Sequence, residues 1–97
     1  MDNITFKTLT INQDNKICII DNEEITLTKR EYQLLVFLLE NPNYIHSRED
    51  IINKVWEKPV TVRTVDSNIT KLRQKLGKYG KNIYTRLGFG YGFNTNI

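Results

Sequence analysis

Hydrophobic positions change period twice along the chain. Up to residue 27 they come in short, β-branched runs, residues 4–11, 16–21 and 24–27, separated by Asn-Gln-Asp-Asn and Asp-Asn. Runs of that length, divided by turn-forming residues, predict an antiparallel meander of three strands. From residue 28 the spacing lengthens to that of a helix. Thr28-Lys29-Arg30-Glu31 has the form of a capping box, and Tyr32, Leu34, Leu35, Leu38 and Leu39 carry a helix to about Asn41, where Pro42 stops it. Ser47-Arg48-Glu49-Asp50 opens a second helix in the same manner, with Ile51, Ile52, Val55 and Trp56 as its core-facing stripe and Pro59 beyond its end. A third helix covers residues 62–77 and closes at Gly77 and Gly80. The period then returns to two, predicting short strands over residues 83–86 and 90–93 around Gly88-Phe89.

The third helix has the sharpest division of faces. At about 100° per residue, Val65, Ile69, Leu72 and Leu76 fall within roughly 60° of arc. Opposite them lie Arg63, Ser67, Thr70, Lys71 and Gln74, a face of short or amide side chains with a cation towards either end. Such a face suits close approach to base edges, and Arg73 and Lys75 sit on the two flanks where a groove-bound helix meets phosphates. Taken by itself, the segment is equally an ordinary amphipathic surface helix.

Charge weighs on that choice. Residues 1–27 hold two Lys/Arg against five Asp/Glu, residues 28–60 hold five of each, and residues 61–97 hold seven against one. The formal net charge of +3 therefore conceals a C-terminal third of +6. A field so one-sided is the footprint of a polyanionic partner.

Length and composition set the outer limits. Ninety-seven residues make one domain with one modest core. No apolar run approaches the roughly 20 residues of a membrane span, and Met-Asp-Asn does not open a signal peptide, so a cytoplasmic protein without membrane partners is expected. Cys18, between Ile17 and Ile19, reads as a small buried hydrophobe. One cysteine and one histidine, His46, do not make a zinc site of N/S ligands, and no cofactor is expected.

The order of three strands, three helices with the basic one last, and a basic hairpin is that of an α+β winged helix-turn-helix: an N-terminal antiparallel sheet, a three-helix core and a C-terminal hairpin wing. Thr28-x-x-Glu31-x-x-Leu34-Leu35, Ser47-Arg48 through Val55-Trp56, Arg63-Thr64-Val65-Asp66-x-x-Ile69-x-x-Leu72-Arg73-x-Lys75-Leu76, and Tyr84-Thr85 through Gly88-x-Gly90-Tyr91-x-Phe93 resemble the OmpR/PhoB-type DNA-binding effector domain of two-component response regulators. The resemblance spans nearly the whole chain, with its segments in order. It implies that the domain binds specific double-stranded DNA to regulate transcription, that its third helix enters the major groove and that residues 83–93 form the wing. It further implies that Arg63, Thr64 and Arg73 hold phosphates, to which the flank position adds Lys75, while Ser67, Asn68, Thr70 and Lys71 face bases or the adjacent sugar-phosphate edge. Arg48, the Trp56 indole N–H and the Tyr91 hydroxyl match further backbone contacts, and for Trp56 plain core packing is compatible with that role. Asp66 reads as structural, early in the helix and on the flank of Arg73. The resemblance also implies a phosphoacceptor receiver domain, absent from this chain, tandem half-sites filled by two copies, and RNA polymerase as a possible partner.

Three positions depart from the family pattern. In the wing, with Arg86, Leu87 and Gly88 at its turn, Leu87 stands where a basic residue normally precedes the first glycine. Asn68 replaces a frequent His, and Lys71 a frequent Arg, losing the bidentate fork. The connection between Trp56 and Arg63 has six residues, short for a loop that in relatives touches RNA polymerase. Other classes fit less well. Gly88-Phe89-Gly90-Tyr91 echoes the core of an RNA-binding RNP1 motif, but too few residues follow it to complete that fold, and the same glycines lack a helix to aim at a phosphate. No nucleophile, base and orienting group assemble, so an enzyme is not expected. A winged helix serving only protein interaction remains the alternative.

Overall fold

The computed structural model describes residues 2–97. Four antiparallel strands, β1 (Ile4–Phe6), β2 (Leu9–Asn12), β3 (Ile17–Ile20) and β4 (Glu23–Ile25), form a sheet in chain order. They are followed by helices α1 (Lys29–Glu40), α2 (Arg48–Val55) and α3 (Val62–Lys75), a 3₁₀ segment (Gly77–Asn82), and the hairpin β5 (Ile83–Arg86) and β6 (Gly90–Phe93). The fold is the expected α+β winged helix-turn-helix with one correction to the meander. The run 4–11 is two strands, because Lys7 turns into the left-handed region (φ +52°) and Phe6 pairs with Leu9. A lysine followed by a threonine carries no turn signature, so the β-branched run hid the reversal. The Asp21-Asn22 turn, both residues at positive φ, stands where the sequence put it.

Alternation decides which face of the sheet is dry. Leu9 and Ile11 on β2 and Cys18 and Ile20 on β3 are buried, while Thr10, Asn12, Ile17 and Ile19 face outward and are half-exposed. Burial pushes the Cys18 thiol up to about 11, so it stays protonated at neutral pH and serves as a core side chain. Against this layer pack Leu34, Leu35, Leu38 and Leu39 of α1, with Ile51 and Val55 of α2 completing the helical side of the core. Edge-on contacts from the Phe6 ring to Phe93 and Tyr79, at 5.2 and 5.8 Å between centroids, join the first strand to the wing root and the 3₁₀ segment.

The helix starts follow their caps. Thr28 accepts from the Glu31 amide while the Glu31 carboxylate accepts from the Thr28 amide, the full capping box. Ser47 caps α2 by accepting from the Asp50 amide at 3.0 Å. After α3 the chain tightens into the 3₁₀ segment, which the sequence pattern did not reveal; Tyr79 is buried there, with its hydroxyl paired with that of Thr8. The loop before α2 joins the wing: His46 exchanges backbone hydrogen bonds with Tyr91 at 2.8 and 3.0 Å. Gly90 sits where this crossing is tightest, at φ +145°, and a Cβ there would stand 1.9 Å from the His46 carbonyl oxygen.

Glu31 has a second role. It is 1% exposed, and the Lys75 ammonium from α3 lies 2.6 Å from the carboxylate oxygen that also accepts from Thr28. Burial opposes its charge, but Lys75 and the Thr28 amide outweigh that and hold its carboxyl below the usual glutamate range. A depressed carboxylate stabilises the fold above the unfolded pKa and loses that contribution as pH falls through the folded one. Replacing Glu31 with Gln should therefore destabilise the protein by about 1–3 kcal/mol at pH 7 in urea denaturation. The difference from wild type should shrink below about pH 4. A variant as stable as wild type at pH 7 would show that the cap alone matters there.

Candidate nucleic-acid interface

Helix α3 presents the division of faces read from its sequence. Val65, Ile69 and Leu72 are fully buried and Leu76 is 1% exposed, while Arg63, Ser67, Thr70, Lys71 and Gln74 all lie on the exposed side. The outward side chains are held only lightly. Thr70 donates its hydroxyl to the Asp66 carbonyl at 3.0 Å and Asn68 donates a side-chain N–H to the Thr64 carbonyl at 2.8 Å. Both bonds lie within the helix and leave further donor or acceptor capacity on each side chain. Asn68 and Thr64 are half-buried on the flank nearer Lys71.

The start of α3 is short of caps. Thr61 is extended at the N-cap with no side-chain cap bond, and the first turn contains no acidic residue. Its amides therefore keep their partial positive charge, next to the Arg63 cation. Arg63, Lys71 and Arg86 have no ion-pair partner among the described residues, whereas Lys75 and Lys78 are paired with Glu31 and Asp21.

The two flanks of α3 are committed differently from what their helical angle suggested. Lys75 turns towards α1 and its ion pair with Glu31. Arg73 turns towards the wing: its Nε donates to the Ile83 carbonyl at 2.9 Å, one terminal nitrogen donates to the Thr85 hydroxyl at 2.7 Å, and its guanidinium carbon lies 5.7 Å from the centre of the Tyr91 ring. The geometry thus joins Arg73 to β5 and β6 and leaves Lys75 away from the Arg63–Lys71 face.

Asp66 holds the centre of the site. Being the fifth residue of α3 it lies beyond the first turn, and its partners are not Arg73 but Arg48 and Tyr91. One Asp66 oxygen accepts from Arg48 at 3.0 Å, and the other accepts from the Tyr91 hydroxyl. Three elements, the first residue of α2, the middle of α3 and strand β6, therefore meet on one carboxylate. Periodicity could not reveal this meeting, but a signal was present, since Asp66 is the only acidic residue in the stretch 61–97. Trp56 sits at the C-cap of α2, half-buried against the core, so its packing role holds.

The wing has the strand bounds read from the sequence, with Arg86 opposite Gly90. Its turn closes by a bond from the Phe89 amide to the Arg86 carbonyl at 2.8 Å, with Gly88 in the left-handed region (φ +84°). Leu87 and Phe89 are 90% and 69% exposed at the tip, and Phe89 was not among the residues singled out beforehand. Arg86 and Phe89 share a shallow depression with Ile45, Ser47 and Asp50 of the α2 side.

Tyr91 supplies a readout of this arrangement. Burial first, then the hydrogen bond to the Asp66 carboxylate, push its phenol up to about 12. A raised pKa stabilises the folded state below the unfolded value of about 10, and that contribution is lost as pH rises towards the folded one. The Tyr91→Phe variant should be less stable than wild type by about 1.5–3 kcal/mol at pH 8, with the gap narrowing between about pH 10 and 12. Denaturation curves at these pH values measure it; a gap that stayed constant would mean the phenol does not bond the carboxylate.

Comparison with known proteins identifies the family and fold that carry this face. Residues 22–93 match the family model described as "Transcriptional regulatory protein, C terminal". The transcriptional regulatory protein SrrA of Staphylococcus aureus is 38% identical over 98 residues, covering 95% of this chain and 41% of SrrA. The chain thus spans less than half the length of that curated relative. Among solved structures, the DNA-binding domain of Klebsiella pneumoniae RstA, in complex with the RstA box, superposes with a TM-score of 0.89 at 25% identity, covering 99% of this chain and all of that one. The DNA-binding domain of CpxR from E. coli gives 0.88 at 26% identity, with both chains covered completely.

Proposed function

Because the chain belongs to the family of transcriptional regulatory protein C-terminal domains, we propose that it binds specific double-stranded DNA and serves as the output part of a longer response regulator. The observation that carries this reading is the exposed face of α3, where Arg63, Ser67, Thr70 and Lys71 stand clear of the core in a chain third with one carboxylate. The roles follow from chemistry. Ser67, Asn68, Thr70 and Lys71 meet base edges in the major groove, Lys71 as donor to guanine O6 or N7. Arg63, Thr64 and the open amides at the start of α3 hold phosphates on one side. Arg48 and Tyr91, ordered by Asp66, and Arg73, ordered by β5, meet the backbone on the wing side, with the Trp56 indole at the end of α2. Lys75 is left out of this set because its ammonium is engaged with buried Glu31.

A domain of this size covers a short half-site, so strong occupancy needs two copies in tandem, meeting head to tail. Contact with RNA polymerase through the loop between α2 and α3 belongs to the same reading. The start of that loop lies close to α1: Arg30 donates to the Val55 carbonyl at the end of α2 at 3.0 Å, and Lys29 and Arg30 approach Glu57.

Gel-shift titration of DNA selected from a random pool tests the proposal; a chain that selects no sequence would overturn it. With Z phosphates neutralised, log K should fall with log salt at a slope of roughly −0.9 Z. Arg63→Ala should reduce that slope by about one while weakening all sequences alike. Arg63 is the cleaner probe because removing Arg73 would also loosen the wing. Lys71→Ala should cost about 1–3 kcal/mol on the best site and relax preference at one or two base pairs. Unchanged preference would assign Lys71 to a phosphate.

Tandem occupancy predicts half-sites about 10–10.5 bp apart, centre to centre. Inserting about 5 bp places the second copy on the opposite face of the duplex and should abolish joint binding. Footprints of two copies that survive the insertion would require independent binding.

A further inference from the structure

We infer that the wing tip engages DNA as an apolar wedge, with Leu87 inserted at a deformable base step and Phe89 against the adjoining sugar edge, so that part of the sequence preference is for flexibility rather than for a base edge. This rests on the DNA-binding reading above. Large apolar side chains are seldom left in water at a protruding turn, yet Leu87 is 90% and Phe89 69% exposed two residues apart. The turn that carries them is short and closed by its own hydrogen bond, so the two side chains project from a braced hairpin. That hairpin is joined to α3 by the Arg73 bonds to Ile83 and Thr85, so a helix seated in one groove fixes where the tip falls.

Charge and size select the occupant. No acidic residue occurs from residue 67 to residue 97, and Arg86 is next to Leu87. The carboxylates nearest the tip come from α2 and α3: Glu49 and Asp66 border a depression with Leu87, Gly88 and Phe89, where Asp66 is already bonded to Arg48 and Tyr91, and Asp50 borders another with Arg86 and Phe89. An apolar tip beside a cation in an acid-free segment matches a surface that is anionic at its rim and apolar within, as a base step between two phosphate strands is. A protein partner matches less well, because stable interfaces bury about 1,200–2,000 Å² in all, far more than two side chains on a three-residue turn offer. Apolar side chains that enter the minor groove partly unstack a step and bend the duplex, and pyrimidine–purine steps yield most easily.

The experiment uses the 97-residue chain and a single half-site obtained by selection. Duplex bending is read by fluorescence transfer between labelled ends, and affinity by titration. Wild type should bend the duplex. Leu87→Ala should lose most of the bend and bind about 3- to 10-fold more weakly where a TA step lies under the wing, with little change where a stiff A-tract replaces it. Leu87→Arg should recover affinity through phosphate attraction, raise the salt slope by about one and leave the bend lost. Thermal melting of both variants should match wild type, because Leu87 is exposed. Equal bending and equal TA preference in wild type and Leu87→Ala would overturn the wedge while leaving DNA binding intact. So would a Leu87→Ala defect confined to joint occupancy of tandem sites, which would assign the tip to the second copy. Failure of wild type to bind any selected duplex would instead overturn the reading on which the wedge rests.

Discussion

The dryness of one stripe on α3 governs everything its other face does. Val65, Ile69, Leu72 and Leu76 are buried to within 1%, and each contributes about 1.5–3 kcal/mol by leaving water. A rotation by one residue would carry Asp66, Thr70 and Arg73 into the core in their place, with unpaired charges and a hydroxyl among leucines. That penalty locks the rotational setting of the helix. The outward presentation of Arg63, Ser67 and Lys71 is therefore a by-product of packing, and needs no interaction of its own to maintain it.

With rotation fixed, polar ties settle how neighbouring elements sit beside α3. Arg73 reaches the wing, Lys75 reaches α1, and Asp66 gathers Arg48 and Tyr91. The ion pair between Arg48 and Asp66 is partly solvated and contributes little to stability. Its effect is geometric, limiting where the Arg48 guanidinium points. The basic third of the chain is correspondingly less uniform than its count suggests. Some cations act as internal struts, while Arg63, Lys71 and Arg86, which pair with no carboxylate among the described residues, are distributed between helix and wing.

Caps and apolar periodicity were legible in the sequence. The Thr28–Glu31 box, the Ser47 cap, the apolar stripe of α3 and the bounds of β5 and β6 are set by neighbours within a few residues, and each appears where the pattern put it. Contacts between distant residues were not legible. Glu31 and Lys75 are 44 positions apart, and nothing in either helix announces that packing α1 against α3 brings them together. Helical angle placed Lys75 on a flank; only the neighbouring helix decides which partner that flank meets. The structural role read for Asp66 holds but its partners were not legible for the same reason, since its spacing from Arg73 is a property of one helix while its partners come from α2 and β6. The split of the first strand failed differently. Lys7 adopts a left-handed backbone that tertiary pairing of Phe6 with Leu9 imposes against local preference.

The hairpin divides into two parts with unequal freedom. Strand β6 runs under the loop before α2, where even a methyl group at Gly90, the first residue after the turn, would run into the His46 carbonyl. The hairpin's outermost point is open: a Cβ at Gly88 finds no atom within 4 Å, and Leu87 is nearly bare. Drift at Gly90 or at left-handed Gly88 is therefore felt by the scaffold, whereas drift at Leu87 leaves the fold untouched and is felt only by whatever that side chain touches. Leu87 can thus change chemically without a structural cost to the fold that carries it. New binding habits would then be reachable without a passage through unfolded variants.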